Sequence, residues 1–266
     1  MYLSSTLCWA DEVDRVIAIA DHYGFEGVEV WAEQVWRYRT DVSAIVETGR
    51  RYHQKLMLHA ASWDLNLCAL NEAIRYQSMR EVEKSIRLAA RIGATSVTVH
   101  PGRLSVPACR ERPFRTLTAI LGELAGLAET LHVTLSVELM ERIPKEFMTT
   151  PEAINQLLGE LPPSVGTTFD IAHVPLNEDI LNDMKRTSRI NKIHVSDSTA
   201  ARCHVPLGKG QLPLPSLLPR LRSTGVPMVL EGLDADPSHV VLQTDLAYLR
   251  QIDDEGKSWI ENTRFQ

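Results

Sequence analysis

The feature that most constrains this chain is an alternation repeated along its whole length. A short apolar run, often β-branched, is followed by a polar loop and then by a stretch with helical periodicity. Residues 11–23 open with acidic capping residues, carry Val13, Val16, Ile17 and Ala20 on one face, and stop at Gly24. Residues 27–30 read as a strand, 41–53 as a helix and 55–58 as a strand. A long helix follows over 71–92, with Met79, Val82, Ile86 and Ala89 on one stripe and Gly93 as its stop. After a strand over 96–99, Leu117, Ile120, Leu121, Leu124 and Leu127 mark another helix, and 133–137 the next strand. Thr150-Pro151 starts a helix in the expected way, because proline fits the first helical turn. Strands over 165–169, 190–193 and 228–230, with 2–6 as the first, bring the count to about eight.

Alternation at this spacing demands parallel strands joined by right-handed crossovers. The expected fold is α/β, a single (β/α)8 TIM barrel with parallel strands and one domain over 1–266. The barrel would take about 1–252, and a polar tail about 253–266. An open doubly wound sheet is the rival, but no glycine-rich phosphate loop follows the first strand.

Composition sets outer bounds. With 44% apolar and 23% charged residues the chain can bury a sizeable core. A net charge of −6 gives no help toward nucleic acid or anionic lipid, although a local basic patch can hide in such a total. The first residues lack a basic region followed by a long apolar stretch, and no apolar run reaches the length of a membrane span. The expectation is a cytoplasmic protein with no membrane partner. Cys8, Cys68, Cys109 and Cys203 have no CxxC spacing, which reads as free thiols in a reducing compartment.

The chemistry is written at the strand ends. His59, His100, Glu138, Asp170, His194 and Glu231 stand at the ends of the third to eighth strands, between 24 and 41 positions apart. His173 lies one turn past Asp170, and His204 sits in the loop after the seventh strand. In a parallel barrel all C-terminal strand ends open on one mouth, so these residues converge there. Singly, a histidine at a strand end is more often a hydrogen-bonded structural residue, and a carboxylate a helix cap. Jointly, eight imidazoles and carboxylates in one small volume would repel or go unsatisfied without a cation among them. Such donors suit Mn2+, Zn2+, Co2+ or Fe2+ better than Ca2+, and Mg2+ stays among the candidates.

These runs resemble the xylose isomerase-like barrel superfamily, which holds sugar isomerases and epimerases, inosose-processing enzymes and the DNA-repair enzyme endonuclease IV. The resemblance is carried, in order, by Leu58-His59-Ala60, Val99-His100-Pro101-Gly102, Val137-Glu138-Leu139 and Phe169-Asp170-Ile171-Ala172-His173. It continues through His194-Val195-Ser196-Asp197-Ser198, His204-Val205-Pro206-Leu207-Gly208-Lys209-Gly210 and Leu230-Glu231-Gly232. It implies that Glu138, Asp170, His194 and Glu231 are the four metal ligands shared by the sugar enzymes. It also implies that His59, His100, His173 and His204 match further ligands of the endonuclease zinc cluster, as second-site ligands or substrate contacts. One cluster aspartate, two residues before the last histidine, is replaced by Arg202 here. Many ketose epimerases carry arginine where His204 stands, so the chain departs from both subgroups.

Three activities share this equipment. The preferred one is isomerisation or epimerisation of a sugar, sugar phosphate or cyclic polyol through an enediolate, with Glu138 and Glu231 as the acid–base pair. The others are endonuclease IV-like phosphodiester hydrolysis, and dehydration of an inosose or dehydroshikimate-like ring. A non-catalytic binding module is the outside case. Trp9, Trp31 and Trp63, with Trp36 and Tyr38, fall after the first three strands. There aromatic faces can stack on a sugar, pack a loop or meet a second subunit, so a homo-oligomer is left open. Arg37 and Arg39, and Arg103, Arg110, Arg112 and Arg115, form clusters that would suit a phosphate, with a solvated surface as the default.

Overall fold

A computed structural model describes residues 1–107 and 110–253. The first segments are β1 (Tyr2–Ser4), a 3-10 turn (Ser5–Cys8), α1 (Val13–His22), β2 (Gly27–Trp31), α2 (Ala32–Tyr38), α3 (Val42–Arg51) and β3 (Lys55–His59). Then come α4 (Glu72–Ile92), β4 (Ser96–Val99), α5 (Glu111–Thr130), β5 (Thr134–Leu139), α6 (Pro151–Gly159) and β6 (Gly166–Asp170). A second 3-10 turn (Ile171–His173), α7 (Ile180–Arg186), β7 (Ile190–Val195), α8 (Leu214–Arg222), β8 (Met228–Leu230) and α9 (Val240–Asp253) complete the order. The strands follow one another in chain order around a closed barrel, and the pairings run parallel, as the alternation requires.

The chain divides into two compact units, one of residues 1–57 with those from 192 onward, the other Leu58–Asn191. In the first, Val13, Val16, Ile17 and Ala20 of α1 are buried, as their spacing predicts. Tyr2, Met57 and Val229 form a buried apolar cluster. In the second, Val82, Ile86 and Ala89 of α4 and Leu117, Ile120, Leu121 and Leu124 of α5 are buried, while Met79 and Leu127 are half-buried. Burying each such leucine or isoleucine contributes roughly 1.5–3 kcal/mol. Among the described residues no helix is long and apolar enough to cross a membrane.

Several local expectations shift. The first strand ends at Ser4 rather than residue 6, because hydroxyls compete with the ladder. Ser5 Oγ accepts from the Trp31 amide at 2.9 Å, and Ser4 Oγ and Thr6 Oγ1 bond each other at 2.7 Å. Asp11 and Glu12 do not cap α1 through their side chains: Glu12 occupies the N-cap position without such a bond, and Asp11 pairs with Arg15 and His239. Asn71 does cap α4, its Oδ1 accepting from the amides of Ala73 and Ile74 at 3.0 and 3.3 Å. The loop expected after β2 contains α2, which carries Trp36 and Tyr38. Among the described residues, Cys8, Cys68 and Cys203 form no disulfide. Cys109 and the tail beyond Asp253 lie outside the described residues.

Candidate metal centre

Successive side chains of a strand point to opposite faces, so residues i and i+2 share one face. In the unit Leu58–Asn191 this places Thr98, Ser136 and Thr168 two residues before His100, Glu138 and Asp170. The three hydroxyl residues are buried and bond one another: Thr98 Oγ1 lies 3.0 Å from Thr168 Oγ1, which lies 2.9 Å from Ser136 Oγ. The titratable groups therefore sit one step further along each strand, on a floor whose own hydrogen bonds are satisfied.

Glu138, buried in β5, is the centre of this half. Its Oε2 is 3.1 Å from His100 Nε2 and 3.4 Å from His59 Nε2, and its Oε1 is 3.8 Å from His173 Nδ1. One ligand atom each from His59, His100 and Glu138 fits within a 4.8 Å span. Asp170 divides its carboxylate: Oδ1 accepts from the Ala172 amide at 2.7 Å and caps the 3-10 turn, while Oδ2 lies 3.5 Å from His173 Nε2. Gly102, in the run after His100, has φ +80°, and a Cβ there would come within 2.9 Å of Asn66 Oδ1 and the Cys68 amide.

In the other unit His194, fully buried, points Nδ1 at Glu231 Oε2 across 2.9 Å and Nε2 at Glu29 Oε2 across 2.8 Å. His204 is half-buried with φ 54°, a costly backbone for a non-glycine residue. Its Nδ1 meets Ser196 Oγ at 3.0 Å and lies 3.9 Å from Glu231 Oε2. The loop carrying it is tied to the segment just after β7 by the paired amides and carbonyls of Asp197 and Val205, both at 3.0 Å. Lys209, in the same loop, is exposed.

The donor chemistry fits a cation. His59 Nδ1 and His173 Nδ1 each lie 2.8 Å from a backbone carbonyl, of Ala60 and Leu139, which accepts a hydrogen bond from the Nδ1–H and so holds one proton of each ring there. A neutral imidazole then turns its Nε2 lone pair toward carboxylates, an arrangement that needs a second proton or a metal ion between them. For His173 burial works against the proton, but the carboxylates of Asp170, Glu138 and Glu141 and the Leu139 carbonyl push its pKa up to about 9.

All eight strand-end candidates thus gather with partners of their own half: His59, His100, Glu138, Asp170 and His173 in one, His194, His204 and Glu231 in the other. The aromatic candidates are more scattered in character. Trp31 is buried, Trp63 is 43% exposed, and Trp9 is half-buried with its carbonyl accepting from the Tyr38 hydroxyl at 2.9 Å. The arginine clusters have local partners: Arg37 stacks over Trp9 and Tyr38, Arg103 meets the buried Glu146 at 2.7 Å, and Arg110 and Arg115 line a cavity of about 380 Å³ with Phe114, Phe147 and Met148.

Sequence reasoning missed Glu29, Lys192, Glu141 and Glu146. Glu141 Oε2 lies 3.7 Å from His173 Nε2, and burial beside Glu141 pushes the Glu146 carboxyl up to about 7. The first two carried a readable signal. Glu29 is the one charge in the run Gly27-Val28-Glu29-Val30, and Lys192 stands two residues before His194, hence on its face.

Comparison with known proteins agrees with this architecture. An uncharacterised protein of Methanocaldococcus jannaschii is 30% identical over 169 residues, 63% of this chain and 66% of that one. A probable endonuclease 4 of Mycobacterium tuberculosis is 24% identical over 202 residues, 72% of this chain and 76% of that one. The crystal structure of a D-tagatose 3-epimerase-like protein superposes with a TM-score of 0.80 at 19% identity, covering 96% of this chain and 99% of its own, and so shares its fold. The family profile described as xylose isomerase-like TIM barrel matches residues 17–252, and the chain belongs to that family.

Proposed function

We propose that this chain is a divalent-metal-dependent enzyme that isomerises or epimerises a small polyhydroxylated carbonyl compound. Glu138, Asp170, His194 and Glu231 are its principal ligands: the first three stand in β5, β6 and β7, and Glu231 directly follows β8. What carries the reading is the pairing of imidazoles with buried carboxylates in each half, Glu138 with the buried His59 and the half-buried His100 in one, and the buried His194 with Glu231 in the other. When bound, the ion supplies stabilisation for negative charge developing on substrate oxygens as the neighbouring carbon loses its proton. Glu138 and Glu231 take that proton and return one to the same or the adjacent carbon. His59, His100, His173 and His204 hold substrate hydroxyls or a second ion, while Trp9, Trp31 and Trp63 offer apolar faces to the substrate's carbon face. Sugar epimerases among the proteins of the same fold support this substrate class.

The test is incubation of metal-loaded protein with a panel of sugars, sugar phosphates and inososes in D2O. Deuterium at the carbon α to the carbonyl supports the reading, and its absence across the panel counts against it.

The His59, His100 and Glu138 group favours a second reading, metal-assisted phosphodiester hydrolysis, since a further ion there would complete a multi-metal site. Nicking of abasic DNA without deuterium exchange would support that reading instead.

A further inference from the structure

A fully buried ion pair lies behind His194. Glu29 in β2 and Lys192 in β7 both have no exposed surface, and the Lys192 ammonium bonds Glu29 Oε1. Two such charges are expensive to bury, and a buried pair is seldom retained for stability alone, because apolar side chains of similar volume serve as well or better. The pair is also not closed on itself. The second oxygen of Glu29 lies 2.8 Å from His194 Nε2, and the other ring nitrogen, Nδ1, lies 2.9 Å from Glu231 Oε2.

We infer that Glu29, held by Lys192, is a positioning residue that accepts a hydrogen bond from the Nε2–H of His194, keeps the ring's proton there and so presents Nδ1 as the metal-binding atom. The inference rests on the reading of His194 as a ligand. Its physical basis is the single proton of a neutral imidazole: a ring that donates from Nε2 to a fixed carboxylate has its lone pair at Nδ1. A carboxylate behind a ligating histidine fixes both its tautomer and its ring orientation, and makes it a stronger donor. Lys192 fixes the carboxylate in turn, with one oxygen on the ammonium and one on the ring. The order Lys192, Glu29, His194, Glu231 is thus a line of contacts leading from the barrel interior to the proposed ion.

The experiment loads the full chain with Zn2+ and reads the histidine tautomers by 15N–1H NMR, then measures Zn2+ affinity by chelator competition. For the wild type the inference requires a His194 ring protonated at Nε2 with Nδ1 on the metal; the opposite tautomer overturns it. The double variant Glu29→Gln with Lys192→Met removes both charges together and keeps the volume. It is expected to stay folded by circular dichroism and to bind Zn2+ about 10–100-fold more weakly, with mixed His194 tautomers. Affinity within twofold of wild type and an unchanged tautomer would reduce Glu29 to a structural residue and overturn the inference. A wild type that binds no Zn2+ would instead sink the metal reading beneath it, so the two failures are distinguishable.

Discussion

The Asp197 carboxylate accepts the Gly210 amide at 2.9 Å, and a Cβ on Gly210 would lie 2.2 Å from Asp197 Oδ1. The amides of Ser198, Gly208 and Leu212 close on the same carboxylate at 2.8 to 3.1 Å. The run from His204 to Gly210 is therefore wrapped around one buried anion, and Asp197 is what holds His204 beside Ser196 and Glu231. Replacing Gly210 by alanine forces the loop off its anchor. Gly210→Ala is expected to cost about 1–3 kcal/mol in denaturant unfolding, in the range of overpacked interiors. An unchanged unfolding midpoint would show that the loop accommodates the methyl group.

Glu138→Gln and Glu231→Gln each keep the shape of the side chain and remove its capacity to take a proton. Each is expected to slow α-proton exchange by about 10²–10⁴-fold while the far-ultraviolet circular dichroism stays that of the wild type. Near-normal exchange in both would discard the acid–base pair.

Phe169 and Asp170 are adjacent, fully buried and on opposite faces of β6. Phe169→Ala should act on stability, by about 3–5 kcal/mol, through the cavity it leaves. Asp170→Asn should act on metal affinity with a smaller change in the unfolding midpoint. If both variants lost stability alike and metal affinity alike, the alternation would not separate core from site.

Burial pushes the Asp245 carboxyl from its ordinary 3.8 up to about 7, with Asp197 and Asp234 adding to the rise and the Leu207 amide, at 2.7 Å, opposing it. The folded state therefore holds this proton more tightly than the unfolded chain. The stability it contributes is fully present below the unfolded value and is lost as pH rises through about 7. Asp245→Asn cannot ionise, so between pH 4 and 8 its guanidinium midpoint should rise relative to that of the wild type. Parallel pH profiles for the two proteins would contradict this.

Much of the architecture was written in local periodicity. The stripe of α1, the stop of α4 at Gly93 and the strand positions of His59, Glu138, Asp170 and His194 follow from residue types within one or two turns. What escaped depended on long-range partners. The 3-10 turn after Ser4 arises from hydroxyl bonds to residues such as Trp31 and Gly232, far along the chain. The helix carrying Trp36 and Tyr38 is short, and its turn-to-turn spacing is masked by aromatics also suited to a loop. Glu29 and Lys192 looked like ordinary strand charges, because their value comes only from facing each other and His194.

The most direct test of the account is metal content. Purified chain loaded with Zn2+ or Mn2+, desalted and measured by elemental mass spectrometry should retain at least one ion per chain. Asp170→Asn, His194→Ala and Glu231→Gln should each retain far less. A wild type that keeps no ion, or variants that keep as much as it does, would contradict a cation gripped by the ends of β5 to β8.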